Sequence, residues 1–372
     1  MGAGVNGEQS PVGVVDPTFA PTLARLERTV RDNLVGTGAQ VWASVDGEVV
    51  LDVAVGSTPG GRMTTSLAHQ CYCLGKPLVA LTLAGLAADG IIDLEAPLAS
   101  IGCDVELVPT PSCSVLDLLD HRVGLADLTA FEYLVTPRRH RRSAITRATR
   151  AAATHPRYSE IVAGVILEDV LTQVTGRPAV EVVEQTIGDL GLEHTAVGPD
   201  GGRRLRERDE IGVAVTGLPH RAAPFLFDLT DHALDDLRPA FGILTTAQDL
   251  GRLFEFLRVN VSDNPTDDLP LGAVLRRLVT PRHPSFEDPA TQREMLMAGG
   301  FMVDAARNGI VTRASTNSFG HTSGVIGGAA VADPTAGVSA AVIFNGADVD
   351  PELQQLERRA ILGEILSLAD RS

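Results

Sequence analysis

Strand-type patterning sits at the two ends of this 372-residue chain, and helical periodicity fills the interval between them. Near the start, Gln40 to Val45 and Val49 to Val55 are β-branched runs separated by Asp46-Gly47, the dipeptide of a tight hairpin turn. Near the end, Gly300 to Asp304, Ile310 to Arg313, Gly328 to Ala332 and Val338 to Phe344 have strand character. Strands must pair, so the two ends are expected to meet in one sheet with a helical lobe inserted between them. Helical spacing marks Pro17 to Leu34, Ser114 to Asp120, Ile145 to Ala153, Ser159 to Thr175, Ala179 to Asp189, Thr246 to Leu257 and Pro351 to Leu368. Pro77 to Ala88 is apolar on nearly every side, as in a helix buried at the centre of a protein. Asn260 to Leu271 and Pro281 to Pro289 read as surface loops. The expected division is a discontinuous α/β lobe from 1–76 and 290–372 and a mainly helical lobe from 77–289.

One residue type is nearly absent. Lysine and arginine total 31, yet Lys76 is the only lysine. Genome composition alone can deplete lysine, but arginine supplies charge wherever charge suffices, whereas a lysine can give up its proton and act as a base. Cys73 lies three residues earlier, and positions three apart share a helix face, so a thiol and a potential amine base come within reach of one another.

Composition narrows the partners. A net charge of −16 repels nucleic-acid phosphates and anionic membranes, which leaves a small molecule as the expected ligand. Met1 to Pro21 has no basic start and no apolar run, and no long apolar span follows, so a cytoplasmic location and no membrane contact are expected. Cys71, Cys73, Cys103 and Cys113 are too few for a disulfide scaffold. The nine histidines form no metal-binding pattern, and no cofactor is expected.

Several segments, in order, resemble the serine β-lactamase and penicillin-binding-protein superfamily, in particular its class C β-lactamase, esterase and transacylase branch. Met63-Thr64-Thr65, Cys73-Leu74-Gly75-Lys76 and Gly90-Ile91-Ile92-Asp93-Leu94 are similar to that family's nucleophile helix and the segment after it, with cysteine in place of serine. Ser114 to Leu125 resembles its T-x-x-x-L-L-x-H-x-S-G-L segment, with Val123 at the serine. Tyr158-Ser159-Glu160 stands where the family has Y-x-N, and Val174 to Pro178, Leu190 to Thr195 and Pro239 to Leu250 match further landmarks. Gly320-His321-Thr322-Ser323-Gly324 resembles the strand motif that lines the family's active site. The resemblance implies an α/β fold of the α+β type, with an antiparallel sheet flanked by helices, an inserted helical lobe and an active site at their interface.

It also implies roles. Cys73 would be the nucleophile, favoured as thiolate by a helix N-terminus and by Lys76, which is either proton acceptor or counter-ion. Tyr158 would shuttle protons. Glu160 would hold Lys76 protonated or bind an amine, His321 would donate to a carboxylate or oxyanion and titrate near neutral pH, and backbone N–H groups of Cys73 and near Ser323 would form an oxyanion hole. The arginine run from Pro137 to Arg150, with Arg138 and Arg142, is either a solvated helix face or a rim for an anionic substrate, coenzyme A or an acidic carrier protein. A cysteine nucleophile favours an acyltransferase working through a thioester on Cys73, with a small acyl donor and a nucleophilic acceptor. The existence of related transacylases suggests small-molecule secondary metabolism. A plain esterase, amidase or peptidase is one alternative, and an inactive binding homologue, in which these side chains serve only as core or drifted surface, is another.

Overall fold

A computed structural model describes residues 11–104, 106–215, 234, 237–262, 270–289, 291–324, 327–346 and 350–371. Eight strands form the main path of one antiparallel sheet: β1 (Val12–Val15), β2 (Gly38–Val45), β3 (Glu48–Thr58), β4 (Met297–Ala298), β5 (Phe301–Val303), β6 (Phe319–Thr322), β7 (Gly328–Asp333) and β8 (Val338–Phe344). Their order is β1-β3-β2-β8-β7-β6-β5-β4, with Gly61–Arg62 added alongside β3. The seam between the two ends of the chain is the β2–β8 pair, in register from Val45 opposite Val338 to Ala39 opposite Phe344. The expected antiparallel sheet from both termini is therefore present. Asp46 and Gly47 take positive φ values of 49° and 90°, the conformation that a two-residue hairpin requires.

Each strand of the centre buries both faces, because helices cover the sheet on either side. Val331, Ala340 and Val342 pack with Leu26 of α1 (Ala20–Arg31) and with Ile361, Leu362 and Ile365 of the C-terminal helix Pro351–Ala369. Their neighbours Ala330, Ala341 and Ile343 face a larger core containing Leu78 and Leu83 of α2 (Lys76–Ala88), Phe254 of the Ala247–Val261 helix and Ile166 of the Ile161–Thr175 helix. This alternation is the period of two that a strand imposes. The central position of α2 explains its apolar circumference. A Cβ at Gly75, just before it, would lie 2.1 Å from the Pro239 carbonyl oxygen, so the backbones approach as only glycine permits.

Three segments depart from expectation. Ile310 to Arg313 forms bends rather than a strand, and the sheet position is filled by Phe319–Thr322. Ile310 and Val311 are apolar because they are buried beneath the C-terminal helix, a need that does not require a ladder. Within the expected loop Pro281–Pro289, Phe286–Asp288 pairs with Arg293–Met295. The expected loop Asn260–Leu271 is bounded by helices ending at Val261 and starting at Pro270, and 263–269 lie outside the described residues. No described helix is long and apolar enough to cross a membrane.

Candidate active site

Cys73 lies on a single 3₁₀ turn, Tyr72–Gly75, that runs directly into α2, so Lys76 rather than Cys73 opens the α-helix. Both side chains are almost closed to water, at 6% and 4% exposure. The Cys73 thiol donates to Glu160 Oε1 at 2.8 Å. Lys76 Nζ stands 3.9 Å from that same oxygen and 5.0 Å from the centre of the Tyr158 ring, without a hydrogen-bond partner among the described residues. Nor does the Tyr158 hydroxyl make a hydrogen bond of normal geometry, although it acts electrostatically on the Cys73 sulfur.

These contacts overturn the thiolate expectation. Burial first, and the Glu160 charge second, push the Cys73 thiol up to about 12, while Lys76 pulls more weakly in the other direction. The thiol is a proton donor at neutral pH. Burial likewise raises the Glu160 carboxyl above its ordinary range, opposed chiefly by Lys76. Burial also holds the Tyr158 phenol well above its ordinary value.

Glu160 is held in place through its backbone. Its N–H donates to Asp127 Oδ2 at 2.6 Å, and the N–H groups of Ile161 and Val162 each donate to Asp127 Oδ1 at 3.0 Å. Ser159 Oγ adds a fourth hydrogen bond to Oδ1 at 3.1 Å. Asp127 therefore caps the Ile161–Thr175 helix from 33 residues upstream of Glu160 and fixes where the glutamate starts. Asp288 does similar work for Tyr158, accepting its N–H at 3.1 Å.

Two histidines flank the tyrosine. The His121 ring lies tilted by 43° against that of Tyr158, 4.4 Å between ring centres, and its Nδ1 accepts the Ser159 N–H at 3.2 Å. Burial, with Lys76 second, keeps it neutral. His321 on β6 is fully buried, and its Nδ1 proton goes to the Thr322 carbonyl at 3.0 Å, so Nε2 presents a lone pair. Burial and then Lys76 push His321 down to about 3. The expectation of a donor that titrates near neutrality is corrected accordingly. Ser323 is also corrected: its amide is committed to the Gly328 carbonyl at 2.8 Å, and Gly324 is the residue of that motif that lines the cavity with Thr322.

The cavity measures ≈ 440 Å³ and brings together Cys73, Tyr158 and Glu160 as the sequence predicts. Arg138 and Arg142 are elsewhere. They lie on the Arg138–Arg150 helix, where Arg142 pairs with Asp104 and Arg150 with Glu106, so the surface reading of that run fits better than a substrate rim. Arginine does line the cavity, but as Arg157, Arg293 and Arg358, none with a carboxylate partner among the described residues. Arg358 is 5% exposed, gives Nη1 to the Ser323 and Gly328 carbonyls, and is pushed down to about 10 by burial and then by Arg293. A signal for it existed in the sequence: Arg358 falls four residues before Leu362 and seven before Ile365, inside the apolar stripe of its helix. Asp127 carried no comparable signal. Among the described residues no group of three His, Cys, Asp or Glu side chains is placed to hold a metal ion.

The sheet, the buried turn that carries Cys73 and the flanking Tyr158 together define a β-lactamase-like protein. The beta-lactamase family model matches residues 23–364, and the chain belongs to that family. Among solved structures it is similar to a penicillin-binding protein homolog from Caulobacter crescentus, with TM-score 0.74, 20% identity, and 95% of this chain and 100% of the other covered. It is also similar to EstCE1, described as a hydrolase with promiscuous acyltransferase activity, with TM-score 0.70, 17% identity and 93% and 99% coverage. A third is the D-amino acid amidase of Ochrobactrum anthropi SV3 in complex with D-phenylalanine, with TM-score 0.71, 18% identity and 96% and 100% coverage. No curated protein sequence matches the chain.

Proposed function

We propose that this protein transfers acyl groups through a thioester formed on Cys73. The observation that carries the reading is the Cys73 thiol hydrogen-bonded to the half-buried Glu160 carboxylate in a cavity of substrate size. A thioester reacts with amines, relative to water, more readily than an oxygen ester does, so cysteine at this position favours transfer to an acceptor over hydrolysis. The three arginines, which have no carboxylate partner among the described residues, suit an acyl donor or acceptor that carries negative charge, as carboxylates, coenzyme A and carrier-protein thioesters do. Hydrolysis of an ester or amide is the second reading, favoured by the hydrolase EstCE1 and the amidase among the similar structures.

Intact-mass measurement after incubation with p-nitrophenyl acetate, with and without a primary amine, tests the proposal. An acetyl adduct on Cys73 that the amine discharges as amide supports transfer. An adduct that only water discharges supports the hydrolase reading, and no adduct on Cys73 removes both.

A further inference from the structure

We infer that Glu160, rather than Lys76, is the base that takes the proton of Cys73. The inference rests on the covalent role of Cys73 proposed above and assigns the proton within it. Glu160 Oε1 is the atom that already holds the thiol, at 2.8 Å, whereas Lys76 Nζ makes no hydrogen bond to any described residue. The other titratable groups nearby are unsuited to the task. His121 has its Nδ1 lone pair occupied by the Ser159 amide, His321 makes no hydrogen bond through Nε2 to the thiol and is pushed down to about 3 by burial and then Lys76, and the Tyr158 phenol is held protonated. Burial opposes charge on Glu160 most strongly and Asp127 adds to it, while Lys76 on α2 and the hydrogen bond from Cys73 favour it. Tyr72 and Cys73 on the 3₁₀ turn and Tyr158 beside it all feel that charge in return.

The electrostatic argument concerns how much charge the step creates. A neutral Lys76 taking a proton from a neutral thiol would make two charges in a site nearly closed to water. Transfer from thiol to carboxylate only moves one negative charge from oxygen to sulfur, with the Lys76 ammonium fixed beside both. As Sγ bonds to the acyl carbon, its proton passes to Oε1 and the carbonyl π pair moves to oxygen. When the adduct collapses, the bond to the leaving group breaks and that group takes the proton from Glu160, which leaves the thioester and a carboxylate. The acceptor reverses the sequence: its proton goes to Oε1 as it bonds to the acyl carbon, the C–S bond breaks, and Sγ recovers the proton. Asp127, by fixing the backbone of residues 160–162, is a positioning residue for this base.

Alkylation of Cys73 by iodoacetamide tests the assignment without any acyl chemistry. It is followed by peptide mass spectrometry from about pH 5.5 to about pH 10 in wild type, Glu160→Gln and Glu160→Asp. Near pH 7 the Gln variant should react about a hundredfold more slowly than wild type, rising about tenfold per pH unit, whereas wild type levels off once Glu160 is ionised. Equal or faster alkylation of the Gln variant near pH 7 overturns the proposal, because a glutamate that only repels the thiolate would raise reactivity when neutralised beside Lys76. If the Gln variant does not fold, Glu160→Asp decides: a carboxylate withdrawn from the thiol should slow alkylation and keep the levelling, and an unchanged rate sinks the assignment. Adduct formation with p-nitrophenyl acetate separates the two readings. Slow alkylation of the Gln variant with no acyl adduct in any form keeps the base and removes the acyl-transfer function. Acyl adducts at equal rates in wild type and Gln variant do the reverse.

Discussion

Of the two influences expected to favour thiolate at Cys73, a helix start and a nearby ammonium, only the Lys76 ammonium is in place, and it is outweighed. The helix begins three residues later at Lys76, and a carboxylate oxygen lies 2.8 Å from a sulfur that is itself almost closed to water. Reactivity at neutral pH must then come from proton transfer during attack. A base works only when ionised, so activity should rise with pH through the raised titration of Glu160. Lys76→Met removes the cation that favours the carboxylate, which raises that titration further and moves the rising limb of kcat/KM to higher pH; an unmoved limb would detach Lys76 from Glu160. Cys73→Ser bears on the nucleophile itself. A hydroxyl is a poorer acid than a thiol, so acylation should slow by about a hundredfold or more, and any acyl-serine should divide more toward water than toward an amine. Product ratios across a range of amine concentrations check this, and equal transfer by the serine variant would remove the chemical case for a transferase.

Among the elements, the Ile161–Thr175 helix bears most on the proposed chemistry, because Glu160 is its N-cap residue and the carboxylate that holds its first N–H groups comes from elsewhere in the chain. Asp127→Ala should cost about 2 kcal/mol through the lost cap, measured by urea unfolding, and should lower kcat more than it raises KM, since the base is displaced while the rest of the cavity is kept. A loss confined to stability would make Asp127 a cap only. The sequence made the helix itself legible, along with α2, the hairpin and the β2–β8 termini, because apolar periodicity is local. It could not reveal the cap: Asp127 and Glu160 are far apart in sequence, and an aspartate after Leu125-Ala126 looks like any turn residue. Ile310 to Arg313 misled for the complementary reason, since burial without strand pairing leaves the same apolar imprint as a strand.

Across the whole molecule, charge is distributed against its average. A chain of net charge −16 places Arg157, Arg293 and Arg358 around one cavity, from three distant stretches of sequence, and leaves them without carboxylate partners among the described residues. The contiguous run from Arg138 to Arg150 was the visible cluster, yet Asp104 and Glu106 already occupy two of its members. Like charges that approach within a cavity, as Arg293 and Arg358 do, oppose one another until an anion enters. Esters that differ only in a terminal carboxylate should therefore be discriminated: mono-p-nitrophenyl glutarate should have a kcat/KM about tenfold or more above that of p-nitrophenyl butyrate. Arg293→Gln, at an exposed position, should remove most of that preference and leave the neutral ester within about threefold, and about 0.5 M salt should narrow the gap in wild type. Arg358→Gln should do the same with a larger loss, because its guanidinium is buried at the cavity wall. If the two esters react alike in wild type, or fall together in both variants, the arginines serve the fold and the substrate of Cys73 is not selected by its charge.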